Sequence, residues 1–201
     1  MIDTAAIFER DRYVVVPALL RQPSLGQVYR YACTMAERGL ITSDEQVPNT
    51  PSGYGDFIMD KLLVSLLPEI EQSAGLKLFP TCSYFRVYKN GDVLARHTDR
   101  PSCEVSVSLC LGFAEDKSWP IWIEGPLGTS SVNLEAGDAL LYRGIECAHW
   151  REVFEGTFHA QVFLHYVEQN GKYAEWRFDK RDSIAVLHPV IARIGELRGD
   201  E

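Results

Sequence analysis

From about residue 78 the apolar residues of this chain stop recurring every three or four positions and begin to alternate. That change of period constrains the fold more than any other feature. The stretches CSYFRVY, EVSVSLCLGF, WPIWIE, SSVNL, DALLY and AQVFLHYV follow one another, separated by Gly, Asn, Asp or Pro. Many short strands with turn residues between them predict an antiparallel sandwich or jelly roll, not a parallel sheet with crossover helices. Alternation also sorts the side chains, because successive residues of a strand point to opposite faces. In HAQVFLHY it puts His159, Gln161, Phe163 and His165 on one face and Ala160, Val162, Leu164 and Tyr166 on the other. Tyr84, Arg86 and Tyr88 share a face by the same rule, as do the small residues Ser106, Ser108 and Cys110. The polar face is the better lining for a cleft.

Upstream the period is helical. Leu25, Val28, Tyr29, Ala32 and Met35 predict one helix, with Ser24 after Pro23 as its N-cap. Ile58, Leu62, Leu63, Leu66, Leu67 and Ile70 predict a second, kinked before Pro68 and stopped at Gly75. Between them QVPNTPSGYGD, residues 46–56, is a loop long enough to serve as a lid. The expected organisation is a single domain: a helical part over 1–77 buttressing one sheet, a strand-rich core over 78–168, and an extension over 169–201 with some helix, interrupted near Pro189. The class is mainly β, of the α+β kind.

Composition narrows the function. No run of about 18 apolar residues is present, so no membrane span is expected. The opening MIDTAAIFERDRY has neither the basic start nor the apolar stretch of a secretion signal, which predicts a cytoplasmic protein. Five cysteines, an odd number with no C-x-x-C pair, suggest reduced thiols. A net charge of −8 argues against a phosphate-binding face and hence against nucleic acid as a partner.

Against that acidic background His97 and Asp99 stand two positions apart before the longest alternating run, and His149 follows His97 by 52 residues at the end of GDALLYRGIECAHW. A His and a carboxylate on one strand end, with a second His on a later strand, are the ingredients of a 2-His-1-carboxylate facial triad, which holds iron on one face of an octahedron and leaves three positions open. Each residue also has a plainer use. His97 and Asp99 suit a polar turn ahead of RPSCE, and His149 beside Trp150 suits a half-buried histidine. Arg86, Arg96, Arg100, Arg143 and Arg151 fall around the same strands, which suggests an anionic ligand, although arginines are also common on solvated surfaces.

With the pattern in view, the stretch from Phe79 to Val167 resembles the double-stranded β-helix core of the Fe(II)/2-oxoglutarate-dependent dioxygenases, and within them the prolyl 4-hydroxylase-like branch. A Tyr-x-x-Gly element stands at Tyr88 to Gly91, nine residues before His97, and the GDALLY strand leads to the distal His. The resemblance implies a jelly-roll fold and Fe(II) held by His97, Asp99 and His149. It implies 2-oxoglutarate and dioxygen as cosubstrates and ascorbate as a reductant. It further implies hydroxylation of a small-molecule or peptide substrate, such as a prolyl residue or an amino acid-like molecule, coupled to decarboxylation of 2-oxoglutarate to succinate and CO2. Tyr88 would hydrogen-bond the cosubstrate, although a plain strand aromatic is the alternative. Asp99 argues against a halogenase, which needs that position vacant.

The chain departs from the branch at one point. A Lys or Arg about ten residues after the distal His pairs there with the far carboxylate of 2-oxoglutarate, and position ten is His159 in this chain. Arg86, Arg143 and Arg151 are other candidates, and Gln161 shares the face of His159. The loop around Pro48 to Gly55 and aromatics such as Tyr54, Trp119, Trp122 and Trp150 would close over a substrate. Two rival readings are a cupin-type metal-dependent isomerase or epimerase and a non-catalytic jelly-roll binding protein. Neither requires Asp99 or the Tyr-x-x-Gly element.

Overall fold

Helices precede most of the strands, as the change of period predicts. The computed structural model describes residues 3–114 and 119–184. In chain order it shows α1 (Thr4–Asp11), β1 (Tyr13–Val16), α2 (Ser24–Glu37), β2 (Ser52–Tyr54), α3 (Phe57–Ser65), α4 (Leu67–Ala74), β3 (Leu78–Lys89), β4 (Leu94–His97), β5 (Val105–Phe113), β6 (Ile121–Gly125), β7 (Gly128–Val132), β8 (Ala139–Arg143), β9 (His149–Arg151) and β10 (Phe158–Glu168). Of the expected extension, Ala174–Lys180 is a 3-10 helix, and the interruption expected near Pro189 lies outside the described residues. No helix among them is long and apolar enough to cross a membrane. All five cysteines are unpaired.

The helix ends follow local chemistry. Asp56 caps α3, its carboxylate accepting from the N–H groups of Ile58 and Met59 at 2.9 and 3.2 Å. The chain breaks at Leu66, where Pro68 in the first turn of α4 suits a helix start and not a helix interior. α4 stops at Gly75, whose φ of 70° is the left-handed geometry glycine tolerates. Ser24 is not the cap of α2. It is already helical, and the side chain of Gln22 accepts from the Gly26 N–H at 3.1 Å instead.

The strands form two antiparallel sheets, a six-stranded one in the order β1-β8-β5-β10-β3-β2 and a four-stranded one in the order β4-β9-β6-β7. The fold is thus mainly β, a jelly roll of two facing sheets with helices on one side. β1 and β2 lie within the segment expected to be helical and extend the larger sheet at its two edges.

Alternation decides what each face meets. Phe85, Val87, Val105, Val107, Leu109, Ala160, Val162, Leu164 and Tyr166 pack with Phe8, Leu25, Val28, Ala32, Met59, Leu63 and Ile70 in the main core between the large sheet and the helices. Leu164→Ala there would cost about 3 kcal/mol through the cavity it leaves. Cys110, Leu140 and Tyr142 turn the other way and meet Ile121 and Ile123 of the small sheet. Between the sheets, near β4 and β9, a third cluster of Val47, Tyr88, Leu94, Trp119, Phe154 and Phe163 surrounds the space where polar side chains converge.

Candidate metal centre and its cleft

β4 ends at His97 and β9 begins at His149, and their antiparallel pairing sets these two residues directly opposite each other. The ring centroids are 4.3 Å apart. Asp99 lies two residues beyond β4, its N–H bonded to the Gly144 carbonyl at 2.8 Å, and its Oδ1 stands 3.7 Å from Nε2 of each histidine. One ligand atom from each of the three lies within 4.8 Å of the others.

The surroundings orient all three. Nδ1 of His97 lies 2.8 Å from the Ala95 carbonyl and Nδ1 of His149 lies 3.0 Å from that of Cys147. A carbonyl only accepts, so each ring carries its proton on Nδ1 and turns the Nε2 lone pair to the centre. Burial holds His149 below its ordinary pKa, which keeps it neutral as a ligand must be. Asp99 Oδ2 accepts from Ser106 Oγ at 2.7 Å, and Ser106 in turn lies 2.9 Å from Nδ1 of buried His165. Burial drives His165 to about 4, so it stays neutral. Gly144 is required by space, since a side chain there would overlap Asp99 Oδ2 and Ser106 Oγ. Two imidazole nitrogens and one carboxylate oxygen, preset by neighbours, are a donor set that fits a divalent first-row metal with open positions.

A cleft of about 240 Å3 opens onto this centre, and Tyr54, Tyr84, Arg86, Arg100, Tyr142 and Phe163 are among its walls. Residues from the 42–56 stretch close its mouth. Asp44 accepts from Arg86 at 2.5 Å and from the Tyr84 hydroxyl. Burial pushes the Asp44 carboxyl up, but the bonds from Tyr84, the Val47 N–H and Arg86 outweigh it and hold it below its ordinary value. Gln46 accepts from Arg86 at 3.2 Å and donates to Nε2 of His97 at 3.0 Å. At the rim Arg100 pairs with Asp179, which also accepts from Tyr54.

The other candidate residues divide. Arg86 lines the cleft and donates to the Tyr88 hydroxyl at 3.2 Å. Tyr88, His159 and Gln161 face the interior between the sheets and do not line the cleft. Arg143 turns to the helix side, bonded to Glu168 at 2.5 Å with its guanidinium over Phe8, so it is held away from the centre. His159 is no cation: burial, then the charge of Arg151, drives it to about 3, and its Nε2 bonds Gln161 Oε1 at 2.8 Å. Trp122 and Trp150 stack on each other on the outer face of the small sheet, because they alternate with the inward residues Ile123, His149 and Arg151. They do not close over the cleft.

Ser106, Gly144, Asp44 and Gln46 were not singled out by the motifs. Alternation alone points Ser106 inward, a signal that could have marked it as the partner of Asp99. Asp44 carries no such signal, since its partner Arg86 is 42 residues away, and the loop reading over 46–56 marks Gln46 without marking its bonds to Arg86 and His97.

No protein-family model and no curated protein matches the chain. Solved structures do. A prolyl-4-hydroxylase from Pseudomonas putida is 16% identical, with 82% of this chain and 97% of that chain covered and a TM-score of 0.69. SnoN, a non-heme alpha-ketoglutarate-dependent epimerase from nogalamycin biosynthesis, is 15% identical over 82% and 79% with a TM-score of 0.69. HygX from Streptomyces hygroscopicus, with nickel and 2-oxoglutarate bound, is 15% identical over 85% and 88% with a TM-score of 0.64. The chain therefore has the jelly-roll fold of the Fe/2-oxoglutarate-dependent oxygenases, prolyl hydroxylases among them.

Proposed function

We propose that this protein is a non-haem Fe(II)- and 2-oxoglutarate-dependent oxygenase that hydroxylates a small-molecule or peptide substrate in the cytoplasm. The observation that carries this reading is the preset trio of His97, Asp99 and His149, with both Nδ1 atoms tied to backbone carbonyls and Asp99 tied to Ser106. These three residues would hold Fe(II). When bound, the metal and its 2-oxo acid supply the oxidising chemistry. The similar structures bound to Fe3+ or nickel together with alpha-ketoglutarate support the choice of metal and cosubstrate.

The chain's own part is positioning and exclusion of water. The Nδ1 bonds fix the ring planes, and Ser106 holds one carboxylate oxygen so that the other faces the centre. Tyr88, Trp119 and Phe163 make a dry wall behind the ligands. Tyr54 and the Asp44–Gln46 segment stand where a substrate enters. A prolyl residue or amino acid-like molecule is the substrate class we assign.

The test is anaerobic titration of Fe(II)-loaded protein with 2-oxoglutarate, following the visible metal-to-ligand charge-transfer band of a chelated 2-oxo acid. The band is expected in the wild type. It should vanish in Asp99→Ala and His149→Ala, with metal affinity down by more than about 100-fold. Iron that binds without producing the band overturns the reading, as does full activity in Asp99→Ala.

A further inference from the structure

Of the five free cysteines, Cys82 and Cys103 line the cleft that opens onto the metal trio. Cys82 continues the face of β3 that carries Tyr84 and Arg86, and in the register of the large sheet it stands across from His165. Cys103 closes the short helical turn Pro101–Cys103 between Asp99 and β5. The Thr81 hydroxyl donates to the Ser102 carbonyl at 2.7 Å, which lays the two segments side by side. The Cys103 thiol then donates a hydrogen bond to the Cys82 sulfur. Both residues are nearly buried, and the cleft is their approach.

Their surroundings make the two sulfurs different. Arg100 Nη2 donates to Cys82 Sγ at 3.7 Å, beside the bond from Cys103, so a guanidinium and a thiol both favour negative charge on that sulfur. The bond from Cys103, with Arg100 helping, holds Cys82 below its ordinary pKa against burial and the charge of Asp179. Cys103 keeps its proton to make that bond and lies well above its ordinary value. Burial raises the other three: Cys110 to about 12, Cys147 to about 11, and Cys33 upward. One activated sulfur with a protonated thiol beside it, at a wall that a small oxidant can reach, is the arrangement of an attacking and a resolving cysteine.

We propose that Cys82 and Cys103 are a peroxide-reactive pair that closes to a disulfide in the cleft wall. The Cys82 thiolate attacks one oxygen of hydrogen peroxide and the O–O bond breaks. Hydroxide leaves and takes up the proton that Cys82 gave up, and Cys82 becomes a sulfenic acid. Cys103 then loses its proton and attacks the Cys82 sulfur, and the S–O bond breaks so that the hydroxyl leaves with that proton as water. Both thiols are oxidised, and the peroxide is reduced to water. The new bond ties β3 to the turn that links Asp99 to β5, and a dithiol reductant reopens it. The site stands on these thiols and needs none of the iron chemistry proposed above.

The test treats the reduced full chain with a slight excess of hydrogen peroxide, with a chelator present so that iron does not consume the oxidant. Remaining thiols are then alkylated in denaturant and the peptides mapped by mass spectrometry, with cleavage after Glu104 separating Cys103 from Cys110. Wild type should lose about 2 Da, give a Cys82–Cys103 cross-linked peptide, leave Cys33, Cys110 and Cys147 open to alkylation, and recover every thiol after dithiothreitol. In Cys103→Ser the reaction should stop at Cys82, as a gain of about 16 Da that dimedone captures. In Cys82→Ser, Cys103 should stay a thiol under the same exposure. The wild-type map needs no variant, so a variant that fails to fold leaves the test decisive. A wild type that keeps both thiols, pairs other cysteines, or carries sulfinic or sulfonic acid at Cys82 without the cross-link overturns the proposal. So does a Cys103 that is oxidised as readily in Cys82→Ser.

Discussion

The mouth of the cleft and the space behind it each hold a buried guanidinium, and the chain treats the two differently. At the mouth Arg86 is met by Asp44, Gln46 and the Tyr84 ring face. Behind it Arg151 is met by a carbonyl and the face of Trp119. The difference follows from what can reach each place. Asp44 and Gln46 belong to the stretch between α2 and β2, which passes over the mouth. The inner space is enclosed by Tyr88, Trp119 and Phe154, and no acidic side chain among the described residues enters it. The mouth is thus neutralised from within the chain, by an Asp44 side chain that is 30% exposed.

Stability measurements can break this comparison. Arg86→Met strands a half-buried carboxylate, and a loss of about 2 kcal/mol in urea unfolding of the metal-free protein is expected after allowing for the solvent Asp44 can reach. Arg151→Met removes a charge that has no partner and keeps most of the packing on Trp119, so its stability should stay within about 1 kcal/mol of wild type. Equal losses at the two positions would mean that Arg151 is satisfied by the chain after all.

A second test asks whether the interior holds one cation or two. The folded-state pKa of His159, about 3, lies below the ordinary histidine value of 6.5. Protonation therefore favours the unfolded chain. The stability His159 contributes is fully present above pH 6.5 and is lost as pH falls below it, by about 1.4 kcal/mol per pH unit until the folded pKa is approached. His165 adds a similar slope, so the useful quantity is the difference between wild type and His159→Gln. Between pH 6 and 5 the variant should lose about 1.4 kcal/mol less than wild type in urea unfolding. An unchanged slope would mean that His159 is already charged in the folded protein, and Arg151 would no longer be the interior's lone positive charge.

Much of this geometry was legible before any coordinates. The period change located the two helical segments and six of the strands, because each of those elements carries its own apolar pattern. Alternation alone placed Arg86 and Tyr88 on one face of β3 and His159 and Gln161 on one face of β10. What could not be read depends on pairing across the chain. β1 is only the four residues YVVV, and it is a strand because β8, more than 120 residues later, pairs with it. β4 and β9 are too short for a period, yet their register puts His97 across from His149. Arg151 was one of several equivalent arginines until Asp44 and Glu168 were seen to occupy the other two. The same alternation that turns Trp150 outward turns Arg151 inward with His149, so telling the unpaired arginine from the paired ones needed the acids, not the strand.

Gln46 offers the finest test of the mouth. Its side-chain amide donates to Nε2 of His97, the nitrogen a metal would take, and its carbonyl accepts from Arg86. Metal binding must displace the first of these bonds, and a hydrogen bond of this kind is worth about 1 kcal/mol net. Gln46→Ala should therefore raise the affinity for Fe(II), or for Co(II) as an air-stable reporter, by about fivefold in a chelator competition. Asp99, Ser106 and the Nδ1 bonds are untouched by this change, so an increase isolates competition at the mouth. Unchanged affinity would mean that the amide gives way without cost, and a decrease would mean that Gln46 supports the centre instead of capping it. Either result would leave the contrast with Arg151 resting on the bonds that Asp44 and Gln46 accept from Arg86.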